Sequence, residues 1–323
     1  MCTAMTFNAS SAFFGRNLDN DTVYNESVTI TPRKYPFFFR EKGYIHEHFA
    51  MIGMATVEDQ YPLYYDATNE AGLSMAGLNF PDHAVYFDRS CTADNIASFE
   101  LIPWILCQCA NTKQALEKIN SLNITNDAYS SKYPITPLHW FIADNKTAYT
   151  IESTKNGINI YNNPLGVLTN NPPFEYHMYN VINYLNLTNE EPVNRFAPTL
   201  SFRPYSLGMG AMGLPGDLSS SSRFVKATFT KFHSVQPHSD SESIRQFFHI
   251  LTSVAQQEGC VKIGNRYEKT IYTSCCDTNK GTYYYSTYEN PQITGVSMQN
   301  VDLNTKKLIS YTIKKAMQVC MDN

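Results

Sequence analysis

The 323-residue sequence carries little net charge and lacks long apolar runs. Lys and Arg number 25 and Asp and Glu number 29, so the formal net charge is −4 and no basic excess indicates a nucleic-acid partner. No run of about 18 apolar residues occurs, which argues against a membrane-spanning helix. The P-loop, the G-x-S-x-G nucleophile elbow and the H-E-x-x-H zinc motif are also missing, which excludes three common enzyme classes.

The N-terminus has neither the basic start nor the apolar core of a secretion signal. We therefore expect a cytoplasmic protein whose eight cysteines stay reduced. Cys107 and Cys109 are separated by one residue, and Cys275 and Cys276 are adjacent. Neither pair has the spacing of a zinc knuckle, so the sequence predicts no metal site.

Aromatic residues are plentiful, with 22 Tyr, 19 Phe and 2 Trp, a composition that suits strands and amphipathic pockets. Alternating polarity and turn signals predict strands over residues 3–9, 11–15, 27–31, 138–143, 147–152, 157–161, 270–274, 282–288, 293–298 and 308–313. Helical spacing predicts helices over residues 98–109 and 174–187, one capped by Asn111 and reaching Leu122, one capped by Ser222, and one from Asp240 to Gly259. Strands and helices come in separate runs, which favours an α+β fold. No linker signal divides residues 1–323, so we predict a single domain.

Two patterns resemble binding motifs without their usual context. Residues 208–213 read Gly-Met-Gly-Ala-Met-Gly, which matches the dinucleotide fingerprint. That motif needs a strand before it and a helix after it, and here a Pro-Gly turn at 215–216 follows, so we expect a glycine loop. His46 and His48 would share one face of a strand, but we interpret them as solvated surface side chains.

A cysteine at position 2 becomes an N-terminal cysteine when Met1 is removed. Its α-amine then has a reference pKa of about 7.7–8.0 and its thiol one of about 8.5, so one residue carries a nucleophile and its own base. The first two predicted strands form a hairpin that returns Arg16 and Asp19 close to Cys2. A cation there favours the thiolate, and a carboxylate orients the amine.

Several stretches in the same order along the chain carry a family resemblance. They are Met1-Cys2-Thr3, Phe14-Gly15-Arg16-Asn17-Leu18-Asp19, Asn69-Glu70-Ala71-Gly72-Leu73, Met75-Ala76-Gly77-Leu78-Asn79-Phe80-Pro81, Leu168-Thr169-Asn170-Asn171-Pro172, Leu214-Pro215-Gly216-Asp217 and Ser222-Arg223-Phe224. Together they resemble the choloylglycine hydrolase family, which includes conjugated bile acid hydrolases and penicillin V acylases. The resemblance implies an αββα N-terminal-nucleophile hydrolase, with two stacked antiparallel sheets between helical layers, and a homotetramer.

The same resemblance implies roles for six residues of the chain. Cys2 is similar to the nucleophile, with its α-amine as proton acceptor and donor. Arg16 and Asp19 match the pair that polarises and orients it. Asn79 and Asn170 match the positions around the oxyanion, and Arg223 matches the arginine that completes the polar network. Asparagine amides supply hydrogen-bond donors to an oxyanion without adding charge. The alternatives are that Asn170 holds a turn and that Arg223 forms a helix-end ion pair.

Asn79 also bears on the substrate, because the resemblance associates asparagine at this position with bile salt hydrolases and tyrosine with penicillin V acylases. Four apolar or aromatic residues near the motifs are candidates for a steroid-binding wall, although such positions are often core: Leu18, Tyr61, Phe80 and Ile135. Met209, Met212 and Asp82 depart from the family's pattern near the pocket mouth.

The expected function is hydrolysis of the amide that joins a bile acid to glycine or taurine, through an acyl-enzyme and without metal or cofactor. The alternatives are a penicillin V acylase or other N-acyl amide hydrolase, and a non-catalytic amphiphile-binding protein on the same fold.

Overall fold

The computed structural model describes residues 1–323. Its strands, numbered along the chain, are β1 Cys2–Asn8, β2 Ala12–Asn20, β3 Ser27–Thr31, β4 Phe37–Phe39, β5 Gly43–Ile45, β6 Met51–Glu58, β7 Tyr61–Asn69, β8 Ser74–Asn79, β9 Asp94–Ala97, β10 Leu122–Thr125, β11 Leu138–Ala143, β12 Ala148–Thr154, β13 Gly157–Asn162, β14 Val167–Leu168, β15 Val261–Ile263, β16 Arg266–Asp277, β17 Thr282–Thr287, β18 Thr294–Ser297 and β19 Ile309–Thr312. The α-helices are α1 Leu101–Gln108, α2 Thr112–Ile119, α3 Phe174–Val181, α4 Ser220–Phe232 and α5 Asp240–Thr252. Short 3₁₀ turns cover Ser98–Glu100, Ile182–Tyr184, Met209–Ala211 and Met298–Asn300.

Two antiparallel sheets form the middle of the molecule. Sheet A has the strand order β14-β1-β2-β16-β17-β18, with β15 also paired to β16. Sheet B has the order β13-β12-β11-β8-β7-β6-β3-β19. β1 and β2 of sheet A contact β8 of sheet B, so alternate residues of these strands meet in the layer between the sheets.

Helices cover the two sheets on their outer sides. On sheet A, α4 and α5 contribute Phe224, Phe247 and Ile250 to a core of 36 buried residues that also contains Phe14 and Phe141. On sheet B, α1 and α2 contribute Trp104, Ile105 and Ala115 to a second core of 23 buried residues. The layer order is helix, sheet, sheet, helix, which confirms the expected α+β class. None of the helices is long and apolar enough to cross a bilayer.

Several local predictions need correction. Asn111 caps α2 as expected, but the helix ends at Ile119, and Leu122 instead begins β10, where it pairs with β9. Ser219 rather than Ser222 caps α4, because its extended backbone lets its hydroxyl accept the Ser222 N–H.

The two pattern matches do not form binding motifs. The glycine segment 208–213 contains only a 3₁₀ turn, with no strand before it. His46 follows the end of β5 and is exposed, so it shares no strand with His48. The half-buried His48 ring contacts the carbonyls of Phe49 (2.8 Å) and Tyr35 (2.9 Å), so both of its nitrogens are already engaged.

The close approach of β2 to β16 requires glycine at position 15. A Cβ atom at Gly15 would fall well inside contact distance of the Ser274 carbonyl and the Cys275 backbone. We expect Gly15→Ala to lower the free energy of unfolding by about 1–3 kcal/mol, since neither backbone can move away inside a paired sheet. Gly216→Ala is the matched control: no atom lies within 4 Å of its added Cβ, so a change within about 0.5 kcal/mol is expected. Urea unfolding measures both, and equal stabilities would contradict the argument.

Candidate active site

The first two strands place three predicted catalytic residues at one end of sheet A. β1 and β2 pair so that Cys2 lies opposite Leu18. Asp19 follows Leu18, and its carbonyl accepts a hydrogen bond from the Met1 amine (2.9 Å). The predicted hairpin is therefore confirmed, and it brings Arg16 and Asp19 beside Cys2.

Asn170 joins the first strand to the end of β8. Its Oδ1 accepts hydrogen bonds from the Cys2 backbone N–H (2.6 Å) and from Arg223 Nη2 (2.9 Å). Its Nδ2 donates to the Asn79 carbonyl (2.6 Å). The Asn170 side chain therefore contacts Cys2, Arg223 and Asn79 at once, which a residue that only holds a turn would not do.

Arg223 reaches the same place from the first turn of α4 and is buried. Besides Asn170, it donates through Nη1 to the Cys2 carbonyl (2.5 Å) and to Thr3 Oγ1 (2.6 Å). Its Nη1 lies 3.9 Å from Asp19 Oδ2. Arg223 therefore combines the ion pair at the helix end, which the sequence left as an alternative, with hydrogen bonds to the Cys2 backbone and Asn170.

The Asp19 carboxyl group is buried and held from one side. Thr270 Oγ1 donates to its Oδ1 (2.6 Å). Burial raises the pKa of Asp19 above its ordinary value, and the charge of Arg223 opposes this rise. The buried Oδ2 has no hydrogen-bond partner within the chain, so this oxygen is available to a donor that approaches from the position of residue 2.

Arg16 crosses from sheet A to sheet B and is fully buried. Its Nη1 donates to the Tyr65 carbonyl (3.1 Å) on β7 and to the Gly77 carbonyl (2.5 Å) on β8. Burial opposes the charge, but Cys2, Tyr272 and other neighbours keep the pKa of Arg16 above its ordinary value. A permanent positive charge is therefore fixed close to the Cys2 thiol.

Asp66, on β7, was not predicted from the sequence to belong to the site. It accepts hydrogen bonds from Tyr283 (2.6 and 2.8 Å), Ser274 (3.2 Å) and Tyr272 (3.4 Å), all on sheet A. Burial raises the pKa of Asp66 to about 6, against the lowering effect of Arg16. Its only local signal is an acidic residue inside an aromatic strand, because its partners lie more than 200 positions away.

A cavity of about 150 Å³ opens beside Arg16. Tyr65 and Gly77, whose carbonyls hold the guanidinium, line it. The rest of its lining is mostly apolar and includes Phe99, Tyr129, Ile135, Leu138 and Trp140. An apolar chamber thus lies next to the charged site.

The four predicted wall residues do not come together in this cavity. Ile135 lines it, and Leu18 is buried opposite Cys2. Tyr61 instead stacks edge-on against Phe37, with ring centroids 5.2 Å apart. Phe80 is fully buried and lies outside the cavity lining. For Phe80 the structure favours the alternative interpretation, a position in the core. Tyr61 is half-buried and also packs against Phe99 and Tyr129 of the cavity lining, with ring centroids 5.9 and 5.5 Å apart.

Asn79 ends β8 with its side chain exposed. Its carbonyl accepts the Asn170 amide, while its own amide makes no hydrogen bond within the protein. The side chain is therefore free to bind a group that approaches from solvent.

Residues 2–311 match the sequence profile of the linear amide C–N hydrolases, choloylglycine hydrolase family. The chain is 50% identical over 319 residues to a bile salt hydrolase/transferase of Lactiplantibacillus plantarum, covering 98% of each sequence. It is 35% identical to a conjugated bile acid hydrolase of Lactobacillus gasseri, covering 96% of this chain and all of that protein.

Solved structures show the same architecture. A variant of the conjugated bile acid hydrolase from Clostridium perfringens superposes with a TM-score of 0.93 at 32% identity, over the whole of both chains. A penicillin V acylase from Agrobacterium tumefaciens superposes with a TM-score of 0.76 at 16% identity, covering 96% of this chain and 91% of that one. These superpositions confirm the expected αββα fold.

The raised pKa of Asp66 has a consequence for stability. An aspartate in the unfolded chain has a pKa of about 3.9, so the folded state binds this proton more tightly. The stability that the protonated Asp66 carboxyl group contributes to the fold is fully present below pH ~4 and is lost as the pH rises through 6. Between pH 4 and pH 7.5 we expect the free energy of unfolding to fall by roughly 2–3 kcal/mol more in the wild type than in Asp66→Asn.

Urea unfolding of both proteins across this pH range measures the difference. Tyr283→Phe is the matched control, because it removes a hydroxyl donor to Asp66 and keeps the carboxyl group. It should retain the pH dependence that Asp66→Asn loses. Parallel curves for the wild type and Asp66→Asn would show that Asp66 is equally acidic in both states.

Proposed function

Because the chain belongs to the choloylglycine hydrolase family of linear amide C–N hydrolases, we propose that it hydrolyses the amide bond of bile acids conjugated to glycine or taurine. The observation that carries the proposal is the contact of the Cys2 nitrogen with Asn170 Oδ1 (2.6 Å). Three buried charged side chains lie beside it, those of Arg16, Asp19 and Arg223. Removal of Met1 turns this nitrogen into an α-amine already directed at a hydrogen-bond acceptor.

In the proposed reaction the α-amine of Cys2 takes the thiol proton, and the thiolate attacks the amide carbonyl carbon. The C–S bond forms as the carbonyl oxygen becomes an oxyanion. The protonated amine then gives its proton to the leaving nitrogen, the C–N bond breaks, and glycine or taurine departs. Water, deprotonated by the same amine, attacks the thioester, and the bile acid leaves with regeneration of the thiol.

The surrounding groups support these roles. The fixed charge of Arg16 favours the thiolate, and Asp19, with one oxygen free of partners, is suited to hold the protonated amine. Arg223 and Asn170 hold the Cys2 backbone on both sides of its Cα. The exposed amide of Asn79 is the group suited to donate to the oxyanion, at no cost in charge.

The apolar cavity beside Arg16 suits an acyl group with hydrocarbon surface. One observation favours a bile-acid substrate over penicillin V. The relatives at 35–50% identity are named for bile salts, whereas the penicillin V acylase resembles the chain in fold at 16% identity.

We also propose a homotetramer in the cytoplasm. The segment between α3 and α4 exposes large apolar side chains that a monomer leaves in water, among them Leu185 (77% exposed), Phe196 (96%), Tyr205 (84%) and Leu207 (87%). Burial of this segment between copies of the chain would remove that surface from solvent. All eight cysteines are free, which suits a reducing compartment.

The test is amino-acid release from glycine- and taurine-conjugated bile acids, measured beside penicillin V hydrolysis. We expect a higher kcat/KM for the bile-acid conjugates, and Cys2→Ser should lose most turnover, because a hydroxyl is far less ionised than a thiol at neutral pH. Cys260→Ser, which changes an exposed cysteine outside the site, should retain wild-type turnover. A preference for penicillin V would overturn the substrate assignment, and full activity of Cys2→Ser would overturn the mechanism.

The role of the amine has its own prediction. A peptide bond at the Cys2 nitrogen prevents it from accepting the thiol proton, so a protein that retains an extra N-terminal residue should turn over about 10²–10⁴-fold more slowly. An N-terminal extension that the cell's aminopeptidase does not remove provides this variant, and mass spectrometry verifies both N-termini. Wild-type turnover in the extended protein would exclude the amine as the base.

A further inference from the structure

Two fully buried histidines hold the backbone around Asn170. His139, on β11, contacts the Thr169 carbonyl through Nε2 (2.9 Å). His177, on α3, contacts the Asn170 carbonyl through Nε2 (2.9 Å). Because a carbonyl only accepts, both Nε2 atoms carry the hydrogen. We call His139 and His177 the histidine clamp.

The histidine clamp and Ser220 together leave the Asn170 backbone no free polar atom. Ser220 Oγ accepts the Asn170 N–H (2.8 Å), and the clamp occupies the carbonyls of Thr169 and Asn170. The Cα of Asn170 is therefore fixed from three directions. Its side chain, which contacts the Cys2 nitrogen and the Asn79 carbonyl, keeps one orientation as a result.

The clamp rings also stack on neighbours of two other site residues. His139 lies parallel to Phe80, with centroids 4.3 Å apart and planes 5° apart, and Phe80 directly follows Asn79. His177 lies on Phe224 at 4.8 Å and 15°, and Phe224 directly follows Arg223. Through these contacts the clamp touches the chain next to each of three predicted catalytic residues.

The two histidines differ in what their second nitrogen does. His139 Nδ1 lies 3.2 Å from Glu152 Oε1, which also accepts the Phe174 N–H (2.9 Å), so the pair must share a proton. His177 Nδ1 is buried without a partner, which makes His177 a neutral ring with a single donor. Replacing His139 would leave the buried Glu152 unpaired, whereas replacing His177 removes one N–H only.

We infer that the histidine clamp positions Asn170, and through it the Cys2 amine, for catalysis. His139 and His177 are positioning residues, since neither hydrogen-bonds to Cys2 and neither lines the cavity. The inference rests on the proposed function for its kinetic effect, but not for the rigidity it assigns to Asn170.

The test compares His177→Phe with His177→Gln. Phenylalanine keeps a ring against Phe224 and removes the donor, and it also replaces a buried nitrogen that has no partner, so the protein should still fold. We expect kcat to fall by about 10- to 10²-fold with KM changed little, because a displaced Asn170 impairs the reacting groups more than the apolar cavity. Glutamine supplies an N–H again and should recover most of kcat.

His233→Phe is the matched control. His233 contacts the Phe229 carbonyl (2.8 Å) and stacks on the Phe229 ring (4.1 Å) at the end of α4, away from the site. The His233→Phe substitution also removes a hydrogen bond from a histidine to a backbone carbonyl, and it should leave kcat unchanged. A folded His177→Phe protein with wild-type kcat, or a loss that His177→Gln does not recover, would overturn the inference.

Hydrogen–deuterium exchange provides a readout that needs no substrate. The Asn170 N–H should exchange faster in His177→Phe than in the wild type and return to the wild-type rate in His177→Gln. If the exchange follows this pattern and the wild type hydrolyses no bile-acid conjugate, the clamp stands and the proposed function fails. Unchanged exchange in His177→Phe would reject the clamp whatever the activity.

Discussion

The buried charge of Arg16 is the constraint on which the site depends. A guanidinium placed between two sheets loses its water, and this loss must be offset by polar partners inside the protein. Sheet B supplies the carbonyls of Tyr65 and Gly77. Sheet B also supplies Asp66, which is held in turn by Tyr283 and other hydroxyls of sheet A. Each sheet therefore carries a buried charge that the other satisfies, and the two sheets cannot slide without exposing one of them.

This reciprocal arrangement determines where the reactive group can lie. The hairpin that carries Arg16 also carries Asp19 and pairs with the strand that begins at Cys2. Arg223 and Asn170 enter from the neighbouring helix and from the turn after β14, and both bond to the Cys2 backbone. Two buried cations and one buried carboxyl group thus surround one thiol, which leaves a net positive charge around the sulfur.

The sequence predicted what depends on local pattern. The β1–β2 hairpin follows from alternation, and the Asn111 cap follows from side-chain chemistry. Strands β6 and β8 were not predicted, because both of their faces are buried and their polarity does not alternate. Asp66 could not be recognised as part of the site, since Tyr283 is 217 positions away. The six catalytic candidates came from ordered motifs. In the structure Asn170 and Arg223 bond to the Cys2 backbone, and Asn79 is connected to Cys2 only through Asn170.

The groups that suit the reaction and those that suit the substrate lie on different parts of the fold. Cys2, Arg16 and Asp19 are fixed by the register of sheet A, whereas Ile135 and much of the cavity lining come from the loop between β10 and β11. Tyr65 and Gly77 connect the two parts, because each bonds to Arg16 and also lines the cavity. A loop can change without moving a sheet register, so one catalytic frame can serve amides with quite different acyl groups.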